Sequence, residues 1–443
     1  MNARELALKI INDINVKQAY ANVTLNKFLS RNTISEQDRR FITELVYGTI
    51  KVGATIDWIL SKYINRPLHK ISPIIQDILR MGLYQILFMD KVPNSAACNQ
   101  SVDLTKKYGH SGTVKFVNGV LRNVIRYPEK SKYPDKSEDV VQYLALKYYH
   151  PQWLIENWIS RLGEESTEKL CEYNNQVAEL SIRTNTLKIT RDELLKRLLV
   201  EGAIAIPSQL TPEGILCKQH STLTNMPSLI EGLFQVQDES SMLVAHVLDP
   251  KPGEFIIDTC SAPGGKTTHI AALMKNSGKI LAADIYEHKL NKINENVRRL
   301  GISIIHTELI NALDIGDKYP MQADRVLVDA PCSGLGVLRK KPDSRWRKSK
   351  ALIKELAELQ IKILTSAAKA VKPGGVLVYS TCTTEIEEND RIIEKFLEAN
   401  PEFALDDAGK GLGLSQDFGK MIQLWPHIHN VDGFFIARMH KSK

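Results

Sequence analysis

Two cysteines stand at the ends of two apolar segments in the second half of the chain. One segment, DRVLVDA, leads into DAPC at 329–332, and the other, VLVYSTC, ends at Cys382. A cysteine thiolate is a strong nucleophile and can add to carbon 6 of a pyrimidine ring. That addition makes carbon 5 electron-rich enough to accept a methyl group from a sulfonium. A carboxyl group at Asp329 can hydrogen-bond ring N3 and draw electrons from the ring.

A glycine-containing loop follows a third apolar segment, EFIID, which ends at Asp258. Residues 259–266 read TCSAPGGK. The two glycines let the backbone approach a ligand closely, and the helix that follows presents its amide groups. Asp284 ends the next apolar segment, where a carboxylate can accept both hydroxyl protons of a ribose. The pattern indicates a cofactor that contains a nucleoside.

Single residues exclude other ligand-binding patterns. A P-loop needs glycine at the position of Cys260, and the fingerprint GxGxxG is absent because the loop offers only Gly264 and Gly265. S-adenosylmethionine, with a ribose but no phosphate, suits such a loop. Enzymes that methylate an adenine amino group carry an aromatic residue where Cys332 stands, so the pattern favours pyrimidine carbon chemistry. A tight turn without ligand and cysteines buried as small apolar residues are the alternatives.

The elements that position these residues alternate in type after residue 236. Strand, loop and helix repeat, which predicts a mostly parallel sheet covered on both faces, a Rossmann-like α/β fold. Ligands bind such sheets at the carboxyl ends of the strands, so both cysteines, the loop and Asp284 are expected at one edge. The segment GFFIARM, 433–439, is predicted to close the sheet as an antiparallel strand.

The rest of the chain predicts two further parts. Apolar residues at three- and four-residue spacing predict an all-α bundle over 1–127. The charged, proline-containing segment 128–139 indicates a linker, and a strand at 179–183 with a capped helix after it indicates a small α+β module. The predicted division is a helical domain over 1–130, a linker and α+β module over 140–235, and a catalytic domain over 236–443.

Composition and charge narrow the class of protein. The net charge is +7, and residues 1–150 hold 22 Lys and Arg against 13 Asp and Glu, so the positive excess lies in the first third. Such an excess can attract a polyanion such as nucleic acid, although a solvated basic bundle would show it too. The six cysteines are too widely spaced for a zinc ribbon or a disulfide framework, which favours a reducing cytoplasm. No metal site and no membrane span are predicted.

A basic segment lies close after Cys332. Residues 339–350 read RKKPDSRWRKSK, with seven basic residues, one acidic residue and one tryptophan. Basic side chains interleaved with an aromatic ring suit a phosphate backbone and an exposed base, whereas the alternative is a solvated helix start. The candidate RNA-binding residues are Arg339, Lys340, Lys341, Arg345, Trp346 and Arg347.

Three segments resemble motifs of the RNA cytosine-5 methyltransferase family, in order and with family-like spacing: DTCSAPGGKTTHIA, DAPCSGLGVLR and YSTCTTEIEEND. The resemblance implies that Cys382 is the nucleophile, that Cys332 assists product release, and that Asp329 contacts cytosine N3. DNA cytosine-5 enzymes use the Pro-Cys cysteine, here Cys332, as nucleophile. The pattern of the RNA family favours Cys382 instead. The S-adenosylmethionine-binding residues implied are Cys260, Ser261, Ala262, Pro263, Gly264, Gly265, Lys266, Asp284, Asn311 and Asp329. Asn311 stands where the family has an aspartate near the adenine, and Asp314 is the alternative.

The first 130 residues resemble the antitermination factor NusB, chiefly in DRRFITELVYGTI and FVNGVLRNV. A NusB-like domain joined to this catalytic domain resembles the bacterial 16S rRNA cytosine-5 methyltransferases. The resemblance implies 16S rRNA, before complete ribosome assembly, as the substrate of a cytoplasmic monomer. Two alternatives stay open: the same chemistry on tRNA, and a non-catalytic RNA-binding factor that retains a decayed methyltransferase fold.

Overall fold

The chain divides into two compact units. The computed structural model describes residues 2–31, 34–219, 223–409, 412 and 419–443. One unit comprises Met1–Asn175 with Lys340–Arg347, and the other comprises Gln176–Arg339 with Lys348–Lys443. Among the described residues, no helix is both long and apolar enough to cross a bilayer.

Helices make up the first unit, as the apolar spacing predicts. Asn2 and Ser35 cap the first and third helices through their side chains, and the apolar faces form one core that includes Leu45 and Ile78. The helices are α1 Ala3–Lys17, α2 Ala21–Ser30, α3 Glu36–Lys51, α4 Gly53–Ser61, α5 Pro73–Phe88, α6 Asn94–Tyr108, α7 Ser111–Arg126, α8 Val140–Lys147, α9 Gln152–Leu162 and α10 Glu164–Asn175.

The helices α8 to α10 fall in this helical unit, whereas the sequence assigns residues from 140 onward to the α+β module. A buried hydrogen bond joins Thr55 Oγ1 of α4 to the carbonyl of Leu146 in α8, at 2.8 Å. The segment predicted as a linker, 128–139, is also packed, because the hydroxyl of Ser131 lies 2.9 Å from the hydroxyl of Tyr63. Such long-range partners leave no local signal in the sequence, and the predicted three-part division stays a prediction.

A small antiparallel sheet opens the second unit. Its strand order is β2-β3-β1-β4, and α11 begins with a capping box between Thr190 and Glu193. Ile182, Leu194 and Phe234 lie in its separate core. The elements are β1 Leu180–Thr184, α11 Arg191–Val200, β2 Ile204–Pro207, β3 Gly214–Gln219, α12 Pro227–Ile230 and β4 Phe234–Val236. The prediction of a small α+β module is confirmed.

A large sheet follows in the order β10-β12-β9-β8-β5-β6-β7, with β11 paired to β12. The strands β7, β6, β5, β8 and β9 are mutually parallel, and β12 pairs antiparallel with β9, as predicted. The strands are β5 Phe255–Asp258, β6 Lys279–Asp284, β7 Ile305–Leu309, β8 Ala323–Asp329, β9 Val371–Thr381, β10 Phe403–Leu405, β11 Met421–Leu424 and β12 Phe434–Lys441. The helices are α13 Glu239–Leu248, α14 Gly265–Leu273, α15 Glu287–Leu300, α16 Ile315–Lys318, α17 Lys350–Ala370, α18 Asp390–Ala399 and α19 Pro426–His429.

The parallel strands bring their carboxyl ends to one edge of this sheet. Asp258 ends β5 and lies in register with Leu327 of β8, and Asp329 ends β8 in register with Ser380 of β9. The strand segments are apolar and almost wholly buried, as expected for a sheet covered on both faces. The edge therefore collects the polar residues that follow each strand.

Candidate active site

The two cysteines meet at this edge. Cys332 Sγ lies 3.4 Å from Cys382 Sγ, and neither cysteine is in a disulfide. The hydrogen bond to Cys382, and after it burial, raises the pKa of Cys332 well above its usual range. Two thiols at this separation cannot both ionise readily, so at most one of them carries a charge at a time.

A lysine and a serine hold the carboxylate of Asp329. Lys266 Nζ lies 2.8 Å from Asp329 Oδ2, and the hydroxyl of Ser380 donates to Oδ1 at 2.9 Å. Burial is the largest influence and lowers the pKa of Lys266, but the charge and hydrogen bond of Asp329, together with the charges of Cys382 and Asp258, make the net shift upward. Lys266 Nζ also lies 5.1 Å from the ring centre of Phe434. Asp329 is therefore held in one orientation beside a permanent positive charge.

The glycine-containing loop is closed by its own hydrogen bonds. The amide of Ser261 donates to the carbonyl of Ala283 at 3.0 Å, and the amide of Gly264 donates to the carbonyl of Ser261 at 2.7 Å. Gly264 has φ +93°, and a Cβ there would lie 3.2 Å from Ile293. A side chain would be strained at this position, which explains the glycine. Burial raises the pKa of Cys260 to about 12, so its thiol stays neutral.

A cavity of about 250 Å³ lies between this loop and the strand ends. Asp258 lines it, and its Oδ2 accepts from the hydroxyl of Thr267 at 2.7 Å, whereas its fully buried Oδ1 has no hydrogen-bond partner. Burial, together with the charge of Asp329, raises the pKa of Asp258 to about 7. The residues that line the cavity include Gln237, Asp238, Cys260, Ser261, Ala262, Pro263, Gly265, Lys266, Asp329, Cys382 and Phe434. The structure thus brings the predicted loop, Asp329 and Cys382 to one cavity.

Asp284 and Asn311, two of the predicted cofactor-binding residues, accept hydrogen bonds from nearby backbone amides. Asp284 ends β6, is almost fully buried, and accepts from the amide of Tyr286 at 3.0 Å. The side-chain oxygen of Asn311 accepts from the amide of Leu313 at 3.0 Å, so it caps the next turn. Asn311 and Asp314 are both exposed. Neither lines the cavity, so an adenine contact from either stays a prediction.

The basic segment that the sequence offers for RNA binding belongs largely to the first unit. Arg345 is fully buried, and its guanidinium donates to the carbonyl of Tyr149 at 2.9 Å and to the side chain of Asn175 at 3.0 Å. The indole of Trp346 donates to the carbonyl of Ile50 at 3.0 Å, and Arg347 donates to that of Gln18 at 2.8 Å. In this structure these three side chains donate to backbone carbonyls, and Arg345 also donates to the side chain of Asn175, so RNA binding by them stays a prediction.

The other members of that segment differ. Lys340 and Lys341 are exposed, and Arg339 is half-buried. A run of basic residues around a tryptophan looks the same in sequence whether it faces a phosphate or a set of buried carbonyls, because both are acceptors. The sequence therefore could not separate the two outcomes.

Comparisons with known proteins agree with the fold over the whole chain. Family models match in three places: "NusB family" at residues 1–126, "Methyltr_RsmF/B-like, ferredoxin-like domain" at 150–224, and "16S rRNA methyltransferase RsmB/F" at 245–440. A relative from Synechocystis, named ribosomal RNA small subunit methyltransferase B with the qualifier "probable", is 40% identical over the full length of both chains. One of the same name from Bacillus subtilis is 39% identical over 100% of this chain and 99% of its own.

The chain belongs to the ribosomal RNA small subunit methyltransferase B family. Among solved structures, PH0851 is 30% identical and matches 98% of both chains with a TM-score of 0.83. NSun6 from Pyrococcus horikoshii, in a structure with SFG, is 27% identical and covers 66% of this chain and 98% of its own, with a TM-score of 0.60. The NusB-like helical part, the ferredoxin-like module and the Rossmann-like methyltransferase domain are thus the architecture of this family member.

The family's ferredoxin-like module contributes a residue that sequence reasoning missed. Arg183, on β1, is almost fully buried. Its guanidinium donates to the carbonyl of Gly265 at 2.6 Å and to the hydroxyl of Thr268 at 3.0 Å, both in α14. It therefore ties the small sheet to the helix that starts at the glycine-containing loop. An isolated arginine in a short strand gives no sequence signal for such a contact.

A second set of contacts, among Glu213, His246 and His269, also connects the small sheet to α14. His246 Nε2 and His269 Nε2 lie 2.9 and 2.8 Å from the same oxygen of Glu213. These separations are those of hydrogen-bonded or ion-paired groups, since two ligands of one tetrahedral zinc ion lie about 3.3 Å apart. Burial, and after it the charge of Arg183, lowers the pKa of His269 to about 4. His269 is therefore neutral near pH 7, and the cluster is a set of close polar contacts that connects Glu213 to α13 and α14.

Proposed function

We propose that this protein transfers a methyl group from S-adenosylmethionine to carbon 5 of a cytosine in 16S rRNA, through a covalent bond between Cys382 and carbon 6. The observation that carries the proposal is the pair of sulfurs 3.4 Å apart, with Cys382 and Asp329 lining one cavity beside the glycine-containing loop. A cavity that joins a nucleophile, a carboxyl group and a cofactor loop suits group transfer to a ring.

The two thiols have different roles in the proposed reaction. Cys382 forms the bond to carbon 6, and the ring electrons move toward carbon 5 while N3 takes up a proton from solvent by way of Asp329, which returns it to solvent on release. For release, the carbon 5 proton passes to water, the electron pair of that bond forms the carbon 5–carbon 6 double bond, and the pair of the carbon–sulfur bond returns to Cys382. Cys332, still protonated because of its raised pKa, donates a hydrogen bond to the departing sulfur.

The residues around the cavity fit S-adenosylmethionine, which supplies the methyl group when bound. The unpartnered Oδ1 of Asp258 is a buried acceptor that suits the amino group of a methionine moiety. Asp284, at the neighbouring strand end, suits ribose hydroxyl groups. The relative's structure with SFG, an analogue of this cofactor, supports the same choice.

The RNA substrate rests on the relatives' names and on the basic first unit. In the proposal, 16S rRNA is bound before assembly is complete by a protein that acts as a cytoplasmic monomer, and Lys340, Lys341 and Arg339 contact its backbone. The free cysteines suit a reducing compartment.

The test is methylation of small-subunit rRNA with labelled S-adenosylmethionine, followed by bisulfite sequencing to map the cytosine. Cys382→Ala is expected to abolish methyl transfer, by at least about 10³-fold, because no other group forms the bond to carbon 6. The variant should bind the cofactor as the wild type does. Near-normal activity of this variant would contradict the nucleophile assignment, and labelling of tRNA in place of 16S rRNA would contradict the substrate.

A further inference from the structure

A buried glutamate holds the loop that carries Cys332. Glu388 lies six residues after Cys382, is fully buried, and does not line the cavity. Its Oε1 accepts from the amide of Ser333 at 2.8 Å, and its Oε2 accepts from the hydroxyl of the same serine. The residue directly after Cys332 is thus fixed through both its backbone and its side chain.

The other side of Cys332 is fixed through the same carboxylate. Gln360, in α17 and fully buried, donates from Nε2 to Glu388 Oε1 at 3.0 Å. The same nitrogen donates to the carbonyl of Pro331 at 2.9 Å. Cys332 is therefore held between two neighbours, and both are tied to Glu388, one directly and one through Gln360.

The segment around Cys382 is tied to the same turn. The hydroxyl of Tyr379 donates to the backbone carbonyl of Glu388 at 2.7 Å, and the hydroxyl of Thr381 bonds Asn389 Oδ1 at 2.6 Å. Because one turn anchors both strand ends, it sets the distance between the two sulfurs. A buried carboxylate that lies outside the cavity has no contact with the reacting atoms, so Glu388 acts through the groups it holds and through its charge, which also raises the pKa of Cys332.

We propose that Glu388 is a positioning residue for Cys332, which it keeps within hydrogen-bond distance of Cys382 for the release step. The proposal rests on the function proposed above. Without Glu388, Cys332 moves away from the departing sulfur, the carbon–sulfur bond breaks more slowly, and methylated RNA stays attached to Cys382. Misplacement by about 1 Å can slow such a step about 10²-fold.

The experiment measures the RNA–protein adduct on a denaturing gel, together with single-turnover methyl transfer. Cys332→Ala provides the reference and is expected to accumulate adduct. Glu388→Ala should accumulate adduct to a similar level, at least about tenfold above wild type, while the methyl group is still transferred. Glu388→Gln keeps an oxygen for the Ser333 amide and should return the adduct toward the wild-type level. Glu387→Ala, at a half-buried neighbouring glutamate that pairs with Arg391, is the matched control and should behave as wild type.

The outcomes separate the two proposals. If Cys332→Ala gives no adduct, the release role of Cys332 fails, and with it the proposed function in this form. If Cys332→Ala gives adduct but Glu388→Ala loses methyl transfer and adduct in parallel, Glu388 has only a structural role and the inference is overturned. Should Glu388→Ala fail to fold, the variant Gln360→Met tests the inference in its place. It leaves the bonds between Ser333 and Glu388 intact, and we expect adduct at least threefold above the wild-type level. Adduct at the wild-type level in Gln360→Met would equally overturn the inference.

Discussion

At the scale of single residues, the two thiols have different electrostatic surroundings. The pKa of Cys332 is raised by the hydrogen bond to Cys382 and by burial, and Cys382 lies close enough to Lys266 for their charges to interact. Only the thiolate reacts with an alkylating reagent. We therefore expect iodoacetamide at neutral pH to label Cys382 before Cys332 in the wild-type protein, as measured by peptide mass spectrometry over time.

A variant and an internal control test the predicted order of cysteine labelling. Lys266→Met removes the positive charge and should slow labelling of Cys382 by several-fold, because its thiolate is then less stabilised. Cys98, a buried cysteine in the first unit whose pKa burial raises, is an internal control and should be labelled slowly in both proteins. Earlier labelling of Cys332 would exchange the roles of the two sulfurs.

Several residues of the site could be found from the sequence because each one ends an apolar strand or directly follows it. Asp258, Asp329 and Cys382 could be found in this way, since the carboxyl ends of parallel strands share an edge. Glu388 and Arg345 could not be assigned, because their roles depend on partners distant in sequence, namely Ser333 for the first and Asn175 for the second. A buried polar residue is recognised only when the groups that satisfy it are known.

At the scale of elements, a buried histidine of α14, His269, makes the stability of the protein depend on pH. The pKa of His269 falls to about 4, chiefly through burial, against about 6.5 in an unfolded chain. The unfolded state therefore binds the proton more readily, so the stabilisation is complete above pH 6.5 and is lost as pH falls toward 4. Between pH 8 and pH 5, His269 should account for a loss of about 2 kcal/mol in the free energy of unfolding.

This loss can be measured by urea denaturation, with hydrogen exchange in α14 reporting on the second unit. His269→Gln should lose about 2 kcal/mol less than wild type over that pH range, since the titrating group is gone. His288→Gln, at an exposed histidine of α15, is the control and should match wild type. An unchanged pH dependence in His269→Gln would show that the folded protein accepts a proton at this site without cost.

The type of each element could be predicted from the sequence more readily than the unit to which it belongs. The segment DRVLVDA became β8 and VLVYSTC became the end of β9, because a continuous apolar run with a polar end fits a buried parallel strand. The helices α8 to α10 were recognised less well, since their assignment to the helical unit depends on contacts such as the bond between Thr55 and Leu146. Local pattern determines the type of an element, and its partners determine the unit to which it belongs.

At the scale of the whole molecule, the positive charge of the first third is partly gathered on one helix face. Lys115, Arg122 and Arg126 of α7 lie at helical spacing with Gly119 between them, and all four are exposed. A Cβ at Gly119 would meet nothing within 4 Å, so the face is open. Within the described part of the chain, none of these three cations forms an ion pair. Unpaired cations on an open face can each displace a counterion from an RNA backbone.

This face predicts the salt dependence of RNA binding. The triple variant Lys115→Gln/Arg122→Gln/Arg126→Gln should weaken binding to 16S rRNA fragments and make the slope of log K against log salt shallower by about 2 to 3, since each phosphate contact contributes about 0.7 to 0.9. The control Lys17→Gln/Arg40→Gln/Lys106→Gln removes the same charge from the same unit, but its cations are already paired with Asp13, Glu36 and Asp103. Fluorescence anisotropy over a salt series measures both slopes. Equal slopes for the two variants would mean that net charge, and not this face, attracts the RNA.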